Sequence, residues 1–176
     1  NLVLDELFVR DKNIEIARLH LDNNLTILLW EDHSAPVFAN QTWFRVGSRN
    51  EQPGTTGIAH LFEHLMFKGT SNHPAGYFDH ALEEQGASTN ASTWVDWTFY
   101  RESLAEGNLE MVARLEADRM VNLALSNEQL ESERDVVKNE RLFRVDNSPT
   151  GIMFEMIYDL AFKVHPYRWP TIGWMK

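Results

Sequence analysis

The stretch His60-Leu61-Phe62-Glu63-His64 brings two imidazoles and a carboxylate into five consecutive positions. His60 and His64 are four apart, so on a helix they lie one above the other on a single face. Two imidazoles so placed can hold one Zn²⁺ at about 2.0–2.1 Å each. Glu63 follows His60 by three and borders the same face. It can reach a water on such a metal without being a ligand, as a general base requires. Ile58, Ala59, Leu61, Phe62, Leu65, Met66 and Phe67 surround the motif. The helix therefore reads as apolar almost all round and is expected to be buried. Buried imidazoles and carboxylates need partners, which favours a metal or a dense hydrogen-bond network over a solvated turn.

A zinc that works on a water usually has three protein ligands. The chain has no cysteine, so the third must be His, Asp or Glu. Residues 126–145 are the place to find it. Ser126-Asn127-Glu128-Gln129 is a capping box, and the stretch continues without Gly or Pro through Leu130, Val136, Val137, Leu142 and Phe143. That pattern is a long amphipathic helix. Glu133 and Glu140 are two turns apart on it and share a face with the two valines. They read as one ligand and one helper beside it. His20, His33, His73, His80 and His165 have no ligand spacing and read as surface or structural.

The segment from Gly57 to Thr70, Gly-Ile-Ala-His-Leu-Phe-Glu-His-Leu-Met-Phe-Lys-Gly-Thr, resembles the signature of the M16 metallopeptidases. These are the inverzincins, which include pitrilysin, insulin-degrading and mitochondrial-processing peptidases. Their third ligand is a Glu about 75 residues beyond the second His, in a Glu-Arg…Glu-Arg helix. Glu133-Arg134 and Glu140-Arg141 match that helix, and 75 residues separate His64 from Glu140. The resemblance thus implies zinc on His60, His64 and Glu140, one ion per chain. Glu133 would support the site without binding the metal. The stretches 86–93 and 96–100 look like the family's active-site strand pair, and His165-Pro166-Tyr167 with Ile172-Gly173 like a loop later in the same domain. The similarity spans nearly the whole chain and is closest to the shorter, processing-peptidase-like (M16B-like) branch.

What this implies is a zinc metalloendopeptidase acting on unfolded or extended peptides. Water is the nucleophile and Glu63 the general base. Asn90, Ala91, Ser92 and Thr93 match the family's substrate-pairing strand, to which a peptide adds by main-chain hydrogen bonds. In this family a later domain closes over the substrate and supplies an Arg and a Tyr. The resemblance therefore implies a partner: a homologous C-terminal domain or a second M16-type subunit. The alternative is a non-catalytic M16-like scaffold subunit of a heteromeric complex, since the family includes inactive subunits. Those usually lose ligands or the base, whereas here all five acidic and imidazole groups remain.

Composition sets the outer bounds. With 43% hydrophobic and 24% charged residues, the 176-residue chain is ordinary for a globular protein. A formal charge of −10 argues against a nucleic-acid partner. No apolar run reaches the roughly 18 residues of a membrane span, and no secretory h-region is visible. A soluble protein is expected. The absent initiator Met suits a removed leader, which places a bacterial periplasm ahead of cytoplasm or mitochondrial matrix.

The remaining elements must position these groups. Strands are expected at 14–21, 25–30 and 37–46, and Thr55 or Thr56 should cap the motif helix, which Lys68-Gly69 ends. A helix that begins at Ser71-Asn72-His73-Pro74 and runs to about 85, a hairpin at 87–94 and 96–104, and a helix at 107–125 follow. That last helix should turn Leu109, Val112, Leu115, Met120 and Leu123 inward. A final helix runs 148–164 before an irregular, aromatic 165–176. The order indicates α+β: one mainly antiparallel sheet with helices packed against it. The resemblance implies the LuxS/MPP-like metallohydrolase type. Residues 1–176 read as a single N-terminal peptidase domain, incomplete at its C-terminal end because family domains run longer.

Overall fold

The computed structural model describes residues 1–11 and 14–175; Lys176, the end of the irregular stretch, lies outside them. Residues 1–36 and 37–176 form two compact units. In the first, β1 (Leu2–Asp11), β2 (Ile14–Leu21) and β3 (Thr26–Trp30) make an antiparallel sheet in that order. The alternation of β2 foretells its bounds. β1 has no such signature, because its register shifts between Leu4 and Glu6 and again between Val9 and Asp11. An extra residue at a bulge flips the parity of the side chains, so no period of two survives in the sequence.

The second unit is built on β4 (Val37–Phe44), β5 (Ser88–Thr93) and β6 (Thr98–Ala105), antiparallel in the order β4-β6-β5. β5 and β6 form the expected hairpin, Ser88 opposite Ser103 and Thr93 opposite Thr98. The strands thus fall into two three-stranded sheets instead of one, and the class is α+β as expected. On β6, Thr98, Tyr100, Glu102 and Leu104 are buried while Arg101 and Ala105 are exposed. The covering layer is α2 (Tyr77–Glu83) and α3 (Leu109–Asn122). Phe78 and Leu82 of α2, Leu104 of β6, and Val112 and Leu115 of α3 form the apolar core. The chain then continues through α4 (Asn127–Arg141), a π-helical turn (Leu142–Asp146), α5 (Pro149–Ala161) and a 3-10 turn (Pro166–Arg168). The Ser126/Gln129 capping box of α4 is formed as its sequence dictates.

The inward face of α3 differs from the expected one. Leu109 and Met120 are 56% and 40% exposed, whereas Val112, Leu115, Glu116 and Arg119 are buried. These four still follow a helical i, i+3, i+4, i+7 stripe, but two of them are charged. Arg119 reconciles this. Its guanidinium pairs with Glu116 on the same helix and lies 3.4 Å from Glu102 on the sheet. It also sits over the rings of Tyr100 and Phe78, 4.2 and 4.4 Å from their centroids. Asn40 donates to Glu102 at 3.0 Å. Burial, with Glu116 nearby, lifts the Glu102 carboxyl to about 7.

Two outcomes follow for stability. Arg119→Met strands two buried carboxylates and should lower the unfolding free energy in urea by about 3–5 kcal/mol; an unchanged midpoint would show that the pair contributes nothing. Because the Glu102 pKa rises on folding from the usual 4.5 to about 7, the native state holds the extra proton between those values. Its contribution is complete below pH 4.5 and is lost as pH rises through 7. Glu102→Gln should remove this part of the slope in a series of unfolding curves.

Candidate metal centre

The motif forms α1 (Ile58–Leu65). Its N-terminus is not capped by Thr55 or Thr56. Gly57 occupies the cap position in the left-handed region at φ 90°, and no side chain bonds there. Glu51 does the work from further back, its carboxylate accepting from the Gly57 and Ala59 amides at 2.9 and 2.8 Å. An acid at a helix N-terminus satisfies both the free donors and the dipole. Nor is the helix buried all round. Glu63, Leu65 and Met66 are buried, but Ile58 and Phe62 are 55% and 49% exposed. Those two line an open, mostly apolar cavity of about 650 Å³ that also reaches Glu63 and Tyr100.

His60 and His64 lie one turn apart, edge to face, with ring centroids 4.7 Å from each other and planes at 70°. α4 runs alongside and delivers Glu140, whose Oε2 lies 3.6 Å from His60 Nε2 and 3.4 Å from His64 Nε2. The three ligand-type atoms fall within 4.8 Å of one another, and no other such group occurs among the described residues. Glu140 Oε2 and His60 Nδ1 are buried without a hydrogen-bond partner. A buried carboxylate oxygen that faces two ring nitrogens and has no donor of its own fits a cation. Two imidazole nitrogens and one carboxylate oxygen are a zinc donor set with a place left open.

Glu133 stands elsewhere. Its Oε2 is 3.3 Å from His64 Nδ1, the ring nitrogen away from Glu140, and its Oε1 pairs with Lys68 Nζ at 2.5 Å. An Nδ1–H donated to Glu133 leaves the Nε2 lone pair of His64 directed at the cluster. The second oxygen of Glu140 is held by Arg144 Nε at 3.0 Å. Lys68 thus does more than end the motif helix, and Arg144 joins the site from a position whose four-residue spacing from Glu140 is its sequence signal.

Electrostatics follow from this packing. Burial drives the His60 ring down to about 4 against the pull of Glu140, so it is neutral at pH 7, as a ligand must be. Contact with Glu140 raises His64 and lowers Glu140 itself. Burial raises the Glu63 carboxyl above its usual range, although Thr93 Oγ1 donates to its Oε2 at 2.5 Å. Thr93 in turn lies 3.1 Å from Thr98 Oγ1, which donates to the Val46 carbonyl.

Asn90, Ala91, Ser92 and Thr93 all lie on β5, one of the two outer strands of β4-β6-β5. Asn90 is exposed and its Oδ1 accepts from the Ala91 amide at 2.9 Å. Thr93 is buried and turned toward Glu63. The five other histidines stay out of the cluster; His20, for example, pairs with Asp5 at 2.6 Å and His165 accepts from the Tyr167 amide.

Comparison with known proteins places this geometry. The family described as Insulinase (Peptidase family M16) matches residues 26–173. The chain is 43% identical over 132 residues to zinc protease PqqE of Helicobacter pylori, covering 75% of this chain and 30% of that protein. It is 34% identical to cytochrome b-c1 complex subunit 1 of Rattus norvegicus, covering 83% of this chain and 30% of that one. The crystal structure of a protease from Helicobacter pylori superposes with a TM-score of 0.88 at 38% identity, over 91% of this chain and 39% of that chain. The chain therefore spans about a third of the length of these relatives. With a family match across most of its residues and a shared fold, the chain belongs to the M16 (insulinase) peptidase family.

Proposed function

We propose that this chain is the zinc-bearing part of a metalloendopeptidase that hydrolyses extended peptides. The observation that carries the reading is Glu140 Oε2 lying within 3.6 Å of both His60 and His64, with Glu63 immediately before His64 on α1. His60, His64 and Glu140 would hold the metal. Bound there, zinc supplies a Lewis acid and lowers the pKa of a water toward about 7. Glu63 takes a proton from the attacking water as its oxygen bonds to the peptide carbonyl carbon. It then gives a proton to the leaving amine nitrogen as the C–N bond breaks. Its raised pKa suits both duties, and Thr93 fixes the carboxylate between them. Glu133 orients the His64 ring. The open edge of β5 offers main-chain groups to a peptide, which would displace the Asn90 side chain from the Ala91 amide.

Because this chain matches only 30% of the length of these relatives, the active unit is proposed to include a homologous C-terminal domain or subunit. No helix of the described residues is long and apolar enough to cross a membrane. The periplasmic expectation gains no support from relatives that include a mitochondrial protein. A scaffold role is the second reading, favoured by the resemblance to a cytochrome b-c1 subunit. The complete set of His60, Glu63, His64 and Glu140 weighs against it.

Metal analysis after dialysis should find one zinc per chain, lost in His64→Ala and Glu140→Gln. Glu63→Gln should keep the zinc but lower peptide turnover by about 10²–10⁴-fold; undiminished turnover in that variant would remove Glu63 from the chemistry, and no turnover in any form would favour the scaffold. The chain alone should cleave a peptide library weakly, and adding a homologous C-terminal domain should raise the rate. Full activity without it would contradict the need for a partner.

A further inference from the structure

The loop after the Pro166–Arg168 turn touches both helices that carry the candidate ligands. Gly173 backs onto the start of α1. A Cβ on Gly173 would lie 2.5 Å from the Thr56 carbonyl oxygen and 2.8 Å from Gly57 Cα. A Cβ on Gly57 would lie 2.7 Å from the Ile172 carbonyl oxygen and 2.9 Å from Gly173 Cα. Both glycines have positive φ, 90° and 81°, so each is required by conformation as well as by space. The Trp174 amide reaches Thr56 Oγ1 at 3.4 Å. Gly57 stands three residues before His60.

On its other side the same glycine meets α4. Arg141, the neighbour of Glu140, donates from Nη1 to the Gly173 carbonyl at 2.6 Å. Arg141 is only 7% exposed. Its fork is completed by Glu155 of α5 at 2.8 and 3.2 Å and by Asp146 at 3.1 Å. The loop itself is anchored independently: Trp169 Nε1 donates to the Ser48 carbonyl at 2.7 Å, and the Tyr167 hydroxyl donates to Asp96. One backbone carbonyl thus ties the start of α1 to the end of α4 through a buried, three-way-paired guanidinium.

We propose that Gly173 and Arg141 form a clasp that sets the separation of α1 and α4, and with it the approach of Glu140 to His60 and His64. Both are positioning residues; neither touches the cluster. Rings four apart on one helix hold their own spacing, but the carboxylate arrives on a different helix and needs an external ruler. A planar fork that bonds a carbonyl and a carboxylate at once supplies direction as well as distance. The proposal rests on the metal-site reading for its consequence, while the clasp itself is a property of the metal-free chain.

The test uses the whole chain and two readouts. Zinc affinity is measured by competition with a chromogenic chelator. Separately, the metal-free protein carries nitroxides at Phe62→Cys on α1 and Arg134→Cys on α4, both partly exposed positions, in a sequence without other cysteines. Their distance distribution is read by electron paramagnetic resonance. Gly173→Ala and Arg141→Met should each weaken zinc binding by about 10–100-fold and broaden the distribution, with helix content retained by circular dichroism. Arg141→Lys, which keeps the charge but cannot fork, should fall between. If the stronger variants fail to fold, Glu155→Gln, which leaves the Gly173 bond, provides a milder form with the same direction of effect. Folded variants with parental zinc affinity and an unaltered distribution would overturn the clasp. A parent that binds no zinc, combined with broadening in the variants, would sustain the clasp and reject the metal site.

Discussion

The arrangement of this molecule turns on one unfavourable act: placing the carboxylate of Glu140 against two imidazoles, partly out of water. Desolvation of that charge has to be offset locally. Arg144 holds one of its oxygens and Lys68 compensates Glu133 behind His64. Arg144 takes only one oxygen of Glu140, His60 is held neutral by burial, and Glu140 Oε2 is left buried between the two rings without a hydrogen-bond donor. A divalent cation on that oxygen and the two ring nitrogens would satisfy it.

Charge is also buried where no chemistry is proposed. Arg119 lies under the sheet with Glu102, Glu116 and three aromatic rings near it. Both regions leave buried polar atoms without a hydrogen-bond partner, Glu116 Oε1 and Oε2 with Arg119 Nε and Nη1 in one and Glu140 Oε2 in the other. They differ in what faces those atoms. The Arg119 guanidinium sits against aromatic rings, and the Glu102 carboxyl rises toward neutrality. Two ring nitrogens face the bare oxygen of Glu140, and its carboxyl is lowered, so that it stays ionised.

How much of this could be read from the residues depends on the range of the interaction. Helix pitch alone sets His60 above His64 and puts Glu63 at their border. The Ser126/Gln129 box announces α4, and the alternation of residues 14–21 announces β2. Longer-range facts have no such signature. Glu51 caps α1 from outside the helix, whereas local capping preference points to Thr55 and Thr56. Two bulges erase the period of β1. A hydropathy stripe cannot select Glu116 and Arg119 as the inward face of α3, because their burial depends on Glu102, a residue on another strand. Glu133 and Glu140 share one face of α4, and spacing alone does not rank them; only the fold shows that one meets Nδ1 of His64 and the other meets Nε2 of both rings.

The edge strand and the proposed base are mechanically one piece. Thr93 ends β5, pairs with Thr98 across the hairpin, and donates to Glu63. A peptide that adds to β5 would therefore bear on the same strand whose last side chain fixes the carboxylate. Under the proposed function, seating a peptide on β5 and aligning Glu63 would be a single positional constraint. A base on a helix and a substrate on a sheet would otherwise drift independently by the few tenths of an ångström to which proton transfer is sensitive. The hydroxyl of Thr93 joins the two, which accounts for a short polar residue being buried at a strand end where packing alone would favour valine.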